Sequence, residues 1–376
     1  MNNTALARPT GPLRANDTIG IIGGGQLGRL LAMAAAKLGF RTVVLDPQED
    51  CPAAQVCNGQ IVAAYDDEKA LHALSEACDV VTYEFENVPL DAAQWLETSL
   101  PLFPPSKALA ISQDRLEEKR ALQEMGMDVA RFRAVRTVDD LVQGLEMFTQ
   151  GVLKTCRFGY DGKGQHVFCG DFDRREGSLH GVLESLIPEG SKAAEYGCVL
   201  EELVPFEKEF SIIGTRGLDG VVQCYPPGVN MHEDGILRRS SAGASLVDEA
   251  LAAKGQQQVE QLLHGLDYVG TVGVEFFAVG GNCLVNEIAP RVHNTGHWTV
   301  EACATSQFEQ HIRAIAGLPL GSVSMLYRGC EMENLLGEES GAALDFLQDP
   351  HVHLTLYGKA EARPGRKMGH ITRVFV

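Results

Sequence analysis

The chain has 376 residues, 45% hydrophobic and 22% charged, with a formal net charge of −18. That length exceeds what one compact core supports and predicts two or three domains. The acidic excess repels nucleic-acid phosphates and anionic lipid head groups, which excludes a general role in binding either and makes any local cluster of Lys and Arg informative.

The ten cysteines are scattered and form no C-x-x-C pair. This argues against a disulfide scaffold or zinc knuckle and for small buried residues in a reducing cytoplasm. No stretch reaches the roughly 20 apolar residues of a spanning helix, so no membrane partner is expected. Residues 1–17 lack a continuous apolar core, do not form a secretory signal, and are expected to be a disordered leader.

A β-branched run at 18–22, a glycine cluster, a Leu/Ala/Met-rich helix at 27–37 and a strand at 42–45 form a β–α–β unit, which implies a parallel sheet. A strand at 60–62, a helix at 68–76 and a strand at 80–84 extend it into an N-terminal α/β domain over 18–108, with Pro101, Pro104 and Pro105 at its exit. A charged helix is predicted over 112–125, stopped by Gly126. Strands at 151–154, 165–168, 198–204 and 209–214 predict a largely antiparallel second domain over 109–305, with a helix at 257–264 and strands at 271–279 and 283–288. The last segment, 306–376, mixes helix and strand and ends in a basic stretch.

Five segments carry chemistry. Gly23, Gly24, Gly25, Gln26, Leu27 and Gly28 fit G-x-G-x-x-G between strand and helix, and Asp46 ends the next strand near the spacing of a ribose-binding acid. Free N–H groups at a helix start bind phosphate, so a dinucleotide-linked oxidoreductase stands beside the plainer reading of a tight turn. A second loop, Gly159, Tyr160, Asp161, Gly162, Lys163, Gly164 and Gln165, lies between predicted strands, with Lys154 on the first. Its N–H groups and lysines can fold onto a polyphosphate, although a glycine-turn hairpin has the same look. Third, a loop of Gly280, Gly281 and Asn282 pairs Val279 with Cys283 and sets Glu275 directly opposite Glu287. Opposed carboxylates in apolar strands repel and are costly. A divalent cation removes both problems, and oxygen ligands favour Mg²⁺ or Mn²⁺ held with substrate phosphates. The competing reading is the polar outer face of an antiparallel sheet. Fourth come Arg291, His293, Asn294 and His297; Arg291 can steady a phosphoryl or carboxyl group. Fifth, Lys359, Arg363, Arg366 and Lys367 place four cations within nine residues, suited to a substrate phosphate or to a solvated loop.

In this order the segments resemble the ATP-grasp superfamily, and within it the 5-(carboxyamino)imidazole ribonucleotide synthases. GIIGGGQLGRL, GYDGKGQ, NEIAPRVHNTGHWT and YGKAEARPGRKMGH carry the resemblance from residue 18 to the end. It implies an α/β and α+β ATP-grasp fold: a parallel N-terminal domain, a central clamp of two antiparallel sheets, and a small C-terminal domain that completes the ribonucleotide site. It implies that Arg115, Lys154 and the loop from Gly159 to Gln165 bind ATP phosphates. Glu201, Glu202, Leu203 and Val204 would form the adenine edge, Glu209 would take the ribose, and His232 would lie near the nucleotide. Glu275 and Glu287 would hold Mg²⁺ with Asn286 beside them. Gly25, Gln26, Leu27, Glu86, Asn87, Lys359, Arg366 and Lys367 would bind the ribonucleotide, with Arg291, His293 and Asn294 at the reacting centre. The implied reaction carboxylates 5-aminoimidazole ribonucleotide with bicarbonate and ATP through carboxyphosphate, in the cytoplasm and as a homodimer. The extra leader and Cys156-Arg157-Phe158 are local departures. Another ATP-grasp ligase, an NAD-linked oxidoreductase and a nucleotide sensor without turnover are the alternatives.

Overall fold

A computed structural model describes residues 11–159 and 162–376. Strands β1 (Thr18–Ile22), β2 (Arg41–Leu45), β3 (Gly59–Ile61) and β4 (Val80–Tyr83) form a parallel sheet in the order β3-β2-β1-β4. Val, Ile and Thr runs buried on both faces suit such a sheet. The helix Gln26–Lys37 turns Leu27, Leu30, Leu31, Ala34 and Ala35 inward at helical spacing. This face meets Phe308, Ile312 and Ile315 of the helix Gln307–Ile315. The segment expected to open the small C-terminal domain therefore begins inside the N-terminal core, ahead of the C-terminal strands. The disordered-leader expectation also fails over residues 11–17: the Leu13 N–H donates to the Ala316 carbonyl at 2.8 Å, and Leu13 packs on the same core. Residues 1–10 lie outside the described residues.

The predicted helix at 112–125 is the helix Arg115–Glu124, and a further helix, Ser106–Ser112, precedes it. Asp114 separates them by adopting extended backbone and accepting from the N–H groups of Leu116 and Glu117. Strands β5 (Phe132–Val135), β6 (Gly151–Thr155), β7 (Gln165–Phe168) and β8 (Cys198–Glu202) form an antiparallel sheet in the order β5-β8-β6-β7. Two helices that the sequence pattern did not reveal, Val138–Phe148 and Glu176–Leu186, cover it through Leu141, Leu145, Leu179 and Leu183.

The remaining strands are β9 (Lys208–Arg216), β10 (Val222–Cys224), β11 (Gly228–Glu233), β12 (Ile236–Gly243), β13 (Gly270–Val279), β14 (Asn282–Ala289), β15 (Gly329–Leu336), β16 (Val352–Leu356) and β17 (Lys367–Phe375). They join in one nine-stranded sheet, ordered β14-β13-β9-β11-β12-β15-β17-β16, with β10 on β9. The C-terminal strands thus continue the central sheet through β12–β15 pairing. Helix Glu249–Gly265 covers the β9–β13 face and starts earlier than the predicted 257, at the Asp248 cap.

One buried histidine ties the parallel sheet to the large one. The His311 ring accepts the Thr271 N–H at Nδ1 and lies 2.8 Å from Thr82 Oγ1 at Nε2. Accepting at Nδ1 places the proton of the neutral ring on Nε2, where Thr82 receives it. Burial pushes the ring down to about 3. A depressed histidine binds its proton more readily when the chain unfolds, so its contribution is complete above about pH 6.5 and is lost as pH falls toward 3, at about 1.4 kcal/mol per pH unit. The thermal midpoint should drop between pH 7.5 and 5.5. His311→Gln, which keeps a donor and an acceptor, should shrink that drop; an undiminished drop would show that His311 is not held neutral.

Candidate active site

A cavity of about 400 Å³ opens between the β5–β8 sheet and the β9–β14 end of the large sheet. Its walls include Lys154 and Val167 from one side and Glu275, Phe277 and Glu287 from the other.

The β13–β14 hairpin shapes the acidic wall. Gly280 and Gly281 both adopt positive φ, 54° and 74°, the signature of a two-residue type I′ turn. Val279 therefore pairs with Asn282, not with Cys283. Continued unbroken, that register would set Glu275 opposite Asn286. A bulge between Glu275 and Phe276 advances β14 by one residue, and Glu275 pairs with Glu287 after all.

Both carboxylates lie at the cavity. Burial, then the charge of Glu287, raises Glu275 above the usual carboxylate range. Burial also opposes ionisation of Glu287, but Arg115, donating at 2.8 Å, outweighs it and holds Glu287 below the usual carboxylate range. Beside them Asn286 Oδ1 is buried without a hydrogen-bond partner among the described residues. Two carboxylates and a bare amide oxygen are a hard oxygen donor set that fits a divalent cation such as Mg²⁺. Glu209, His232 and Glu275 form a second close group, but His232 Nδ1 already meets Glu209 Oε2 at 3.1 Å.

Cations face the acids. Glu201 Oε2 lies 3.2 Å from Lys154 Nζ and 3.3 Å from Lys119 Nζ. Lys119 is 1% exposed and donates to the Asn286 carbonyl at 2.7 Å, bracing the bulge. Burial tends to raise Glu201, yet the two lysines bring it to about 2. The Glu201 carboxylate therefore balances lysines, and that of Glu202 pairs outward with Arg131; both residues line the cavity at the end of β8. Leu203 and Val204 line the cavity just beyond β8. Lys119 escaped the sequence reading because it sits in a charged run. Its spacing from Leu116 and Leu122, both buried, places it on the inner stripe of its helix. Glu118 was missed for the same reason; it lines the cavity and accepts from the Ile288 N–H.

Of the second glycine loop, Gly159, Gly162 and Gln165 line the cavity, whereas Lys163 and Gly164 do not; Tyr160 and Asp161 lie outside the described residues. The first glycine loop is filled by the protein itself. The carboxylate of Glu84 accepts from the N–H groups of Gly25 and Gly28, and Asp46 accepts from that of Gly24. A Cβ on Gly25 would strike Glu84, so the glycine serves this internal contact. Those N–H groups are not free for a pyrophosphate, and Asp46 binds backbone, not ribose; the dinucleotide reading fails here. Gly25 and Leu27 are corrected as ribonucleotide contacts: the first has its N–H engaged, and the side chain of the second is buried in the core. Gln26 alone of the three reaches the site, with Nε2 3.5 Å from Asn294 Oδ1.

Glu86, Asn87, Arg291, His293, Asn294 and Lys367 line the far end. Arg291 Nε donates to Glu86 at 2.6 Å, which joins the N-terminal region to the segment after β14. Lys359 and Arg366 do not line the cavity: Lys359 donates to the Lys367 carbonyl and Arg366 to that of Glu361.

Fold and site together define an ATP-grasp ligase. Family models match along the chain: a ribonucleotide synthetase preATP-grasp domain at residues 16–113, an ATP-grasp domain at 120–308, and a phosphoribosylaminoimidazole carboxylase C-terminal domain at 330–375. The chain is 49% identical to the N5-carboxyaminoimidazole ribonucleotide synthase of Brucella melitensis over 365 residues, 96% of this chain and 97% of that one. The Staphylococcus aureus N5-carboxyaminoimidazole synthetase complexed with ADP superposes with a TM-score of 0.87 at 38% identity, covering 97% of this chain and 94% of that one. The Aspergillus clavatus synthase in complex with ADP and 5-aminoimidazole ribonucleotide gives 0.86 at 30% identity, covering 96% and 94%. The chain belongs to the N5-carboxyaminoimidazole ribonucleotide synthase family.

The buried Lys119–Glu201–Lys154 group generates a test. Lys119→Met removes one of the two cations that balance Glu201 and releases the bulge carbonyl, so folding stability should fall by about 3 kcal/mol. Urea unfolding measures this; an unchanged midpoint would show that Lys119 carries no such role.

Proposed function

We propose that the protein carboxylates 5-aminoimidazole ribonucleotide with bicarbonate, converting ATP to ADP and phosphate. The carrying observation is that one cavity joins the Glu275–Glu287 pair and Lys154 to Arg291, His293 and Asn294, so a nucleotide γ-phosphate and an amine acceptor share one space. The relatives named above, one with ADP and one with ADP and the ribonucleotide, support this reading.

Arg115 and Lys154 hold the ATP phosphates, with Gly159, Gly162 and Gln165 from the loop above. Leu203 and Val204 border the base, and Glu209 and His232 the ribose. Mg²⁺, held by Glu275, Glu287 and Asn286, offsets phosphate charge when bound. A bicarbonate oxygen attacks the γ-phosphorus, ADP leaves, and carboxyphosphate forms. The amine of the imidazole then attacks the carboxyl carbon, phosphate leaves, and the nitrogen sheds a proton. Arg291, fixed by Glu86, steadies the anionic carboxyl group. Burial, then the charge of Arg291, brings His293 to about 3. Held neutral in this way, the ring is a poor base, so the proton shed by the amine leaves with the departing phosphate. Gln26, Glu86, Asn87 and Lys367 hold the ribonucleotide, with Lys359 supporting Lys367 through its carbonyl. A homodimer and a cytoplasmic location complete the proposal; ten free cysteines, six of them buried, suit a reducing compartment.

Phosphate release should require ATP, bicarbonate and aminoimidazole ribonucleotide together; full release without the ribonucleotide would defeat the assignment. Glu275→Gln and Glu287→Gln should each lower turnover on the order of 100-fold, since each weakens cation binding at the phosphates. Near-normal rates at limiting Mg²⁺ would remove the metal role. Lys367→Ala should raise the KM for the ribonucleotide on the order of 10-fold, the scale of one charged hydrogen bond, and leave the KM for ATP in place. A rise confined to ATP would move Lys367 to the nucleotide end.

A further inference from the structure

We propose that His297 is a positioning residue that fixes the side-chain amide of Asn294, so that Asn294 offers its NH₂ group to an acceptor atom of the ribonucleotide. The proposal rests on the reading that Asn294 touches that substrate.

His297 is fully buried and takes no part in the cavity wall, whereas Asn294 lines it. The His297 Nε2 lies 3.2 Å from Asn294 Oδ1. The other ring nitrogen, Nδ1, is buried with no partner among the described residues. A neutral imidazole carries a single N–H. On Nδ1 that proton would be a buried donor without an acceptor. On Nε2 it finds the Asn294 oxygen, and only a lone pair at Nδ1 is left unpaired, the less costly orphan. Burial keeps the ring neutral, well below its usual value. His297 therefore donates. Gln26 Nε2 approaches the same oxygen at 3.5 Å. Two donors on Oδ1 settle which way the amide faces: oxygen toward the protein, NH₂ toward the cavity.

The ring has little freedom to turn. It is stacked between His370, with centroids 4.8 Å apart at 15°, and Phe308, 5.6 Å apart at 23°. His370 is itself tied by Nδ1 to the Tyr357 hydroxyl at 2.8 Å. The two faces of the clamp come from β17 and from the helix Gln307–Ile315, while Gln26 comes from the first helix. One amide is thus oriented by three parts of the fold.

The test compares His297→Phe, His297→Gln, Asn294→Ala and the His297→Phe/Asn294→Ala double variant by paired saturation curves for ATP and ribonucleotide. His297→Phe keeps the stack and loses the donor, and should raise the ribonucleotide KM on the order of 10-fold with the ATP KM unchanged. His297→Gln keeps a donor at similar reach and should restore most of that loss. In the Asn294→Ala background, His297→Phe should add nothing further. Equal effects on both substrates, or a full additional effect in that background, would overturn the role of His297. Asn294→Ala with a large effect beside a silent His297→Phe would also overturn it. Asn294→Ala without effect on the ribonucleotide would instead remove Asn294 from the substrate site, and this proposal with it. Independently of any variant, nitrogen-15 shifts of the wild-type ring should report the proton on Nε2; a proton on Nδ1 sinks the proposal.

Discussion

Two carboxylates held face to face govern this structure. A like-charged cross-strand pair destabilises a hairpin, and Glu275, buried, faces the part-exposed Glu287 across β13–β14 at the cavity, where burial and that neighbouring charge oppose ionisation of Glu275. The surroundings answer that repulsion group by group. Arg115 holds the charge of Glu287, Lys119 grips the bulge carbonyl between them, and Glu201 gathers Lys119 and Lys154 on the opposite wall. Arg115 and Lys119 come from one helix and Lys154 and Glu201 from β6 and β8, so the charge problem of one hairpin bears on where the Arg115–Glu124 helix and the β5–β8 sheet lie.

The same balance reconciles the net charge of −18 with a polyanionic substrate. Bulk charge acts over a Debye length of about 8–10 Å and is screened by salt, whereas buried cations are screened far less. Arg115, Lys119, Lys154 and Arg291 are each at most partly exposed. A nucleotide in the cavity therefore meets local positive charge that the acidic outer surface does little to cancel.

The parallel sheet was legible because β-branched runs buried on both faces leave a continuous apolar pattern, as in β1 and β4. The acidic pair was legible as well, by a route that contained two offsetting errors. A three-residue loop was assumed where a two-residue turn exists, and no bulge was assumed where one does. Both give the same partner for Glu275, because each shifts β14 by one residue. Bulges are set by tertiary contact, here the Lys119 grip on Asn286, and periodicity carries no trace of them. Charged residues that turn inward were hardest to see. Glu84, Glu118 and Lys119 look solvated in sequence, and only the neighbours that each one satisfies reveal otherwise. The first glycine loop misled for a related reason: the sequence shows N–H groups at a helix start but not that Glu84 already occupies them.

The tail shows why charge density is a weaker guide than connectivity. Lys359, Arg366 and Lys367 look alike in sequence, but β17 begins at Lys367 and its pairing with β15 carries that residue to the cavity. Because β15 pairs with β12, the same strand order ties Lys367 to the sheet that bears Glu275 and Glu287. A C-terminal domain joined only by a linker could shift relative to that sheet, and the distance from the metal pair to the last basic residue would shift with it. A continuous ladder of backbone hydrogen bonds removes that freedom. The reacting ends of two substrates must be held at a fixed separation for transfer between them to be fast, and here one sheet sets that separation from both ends.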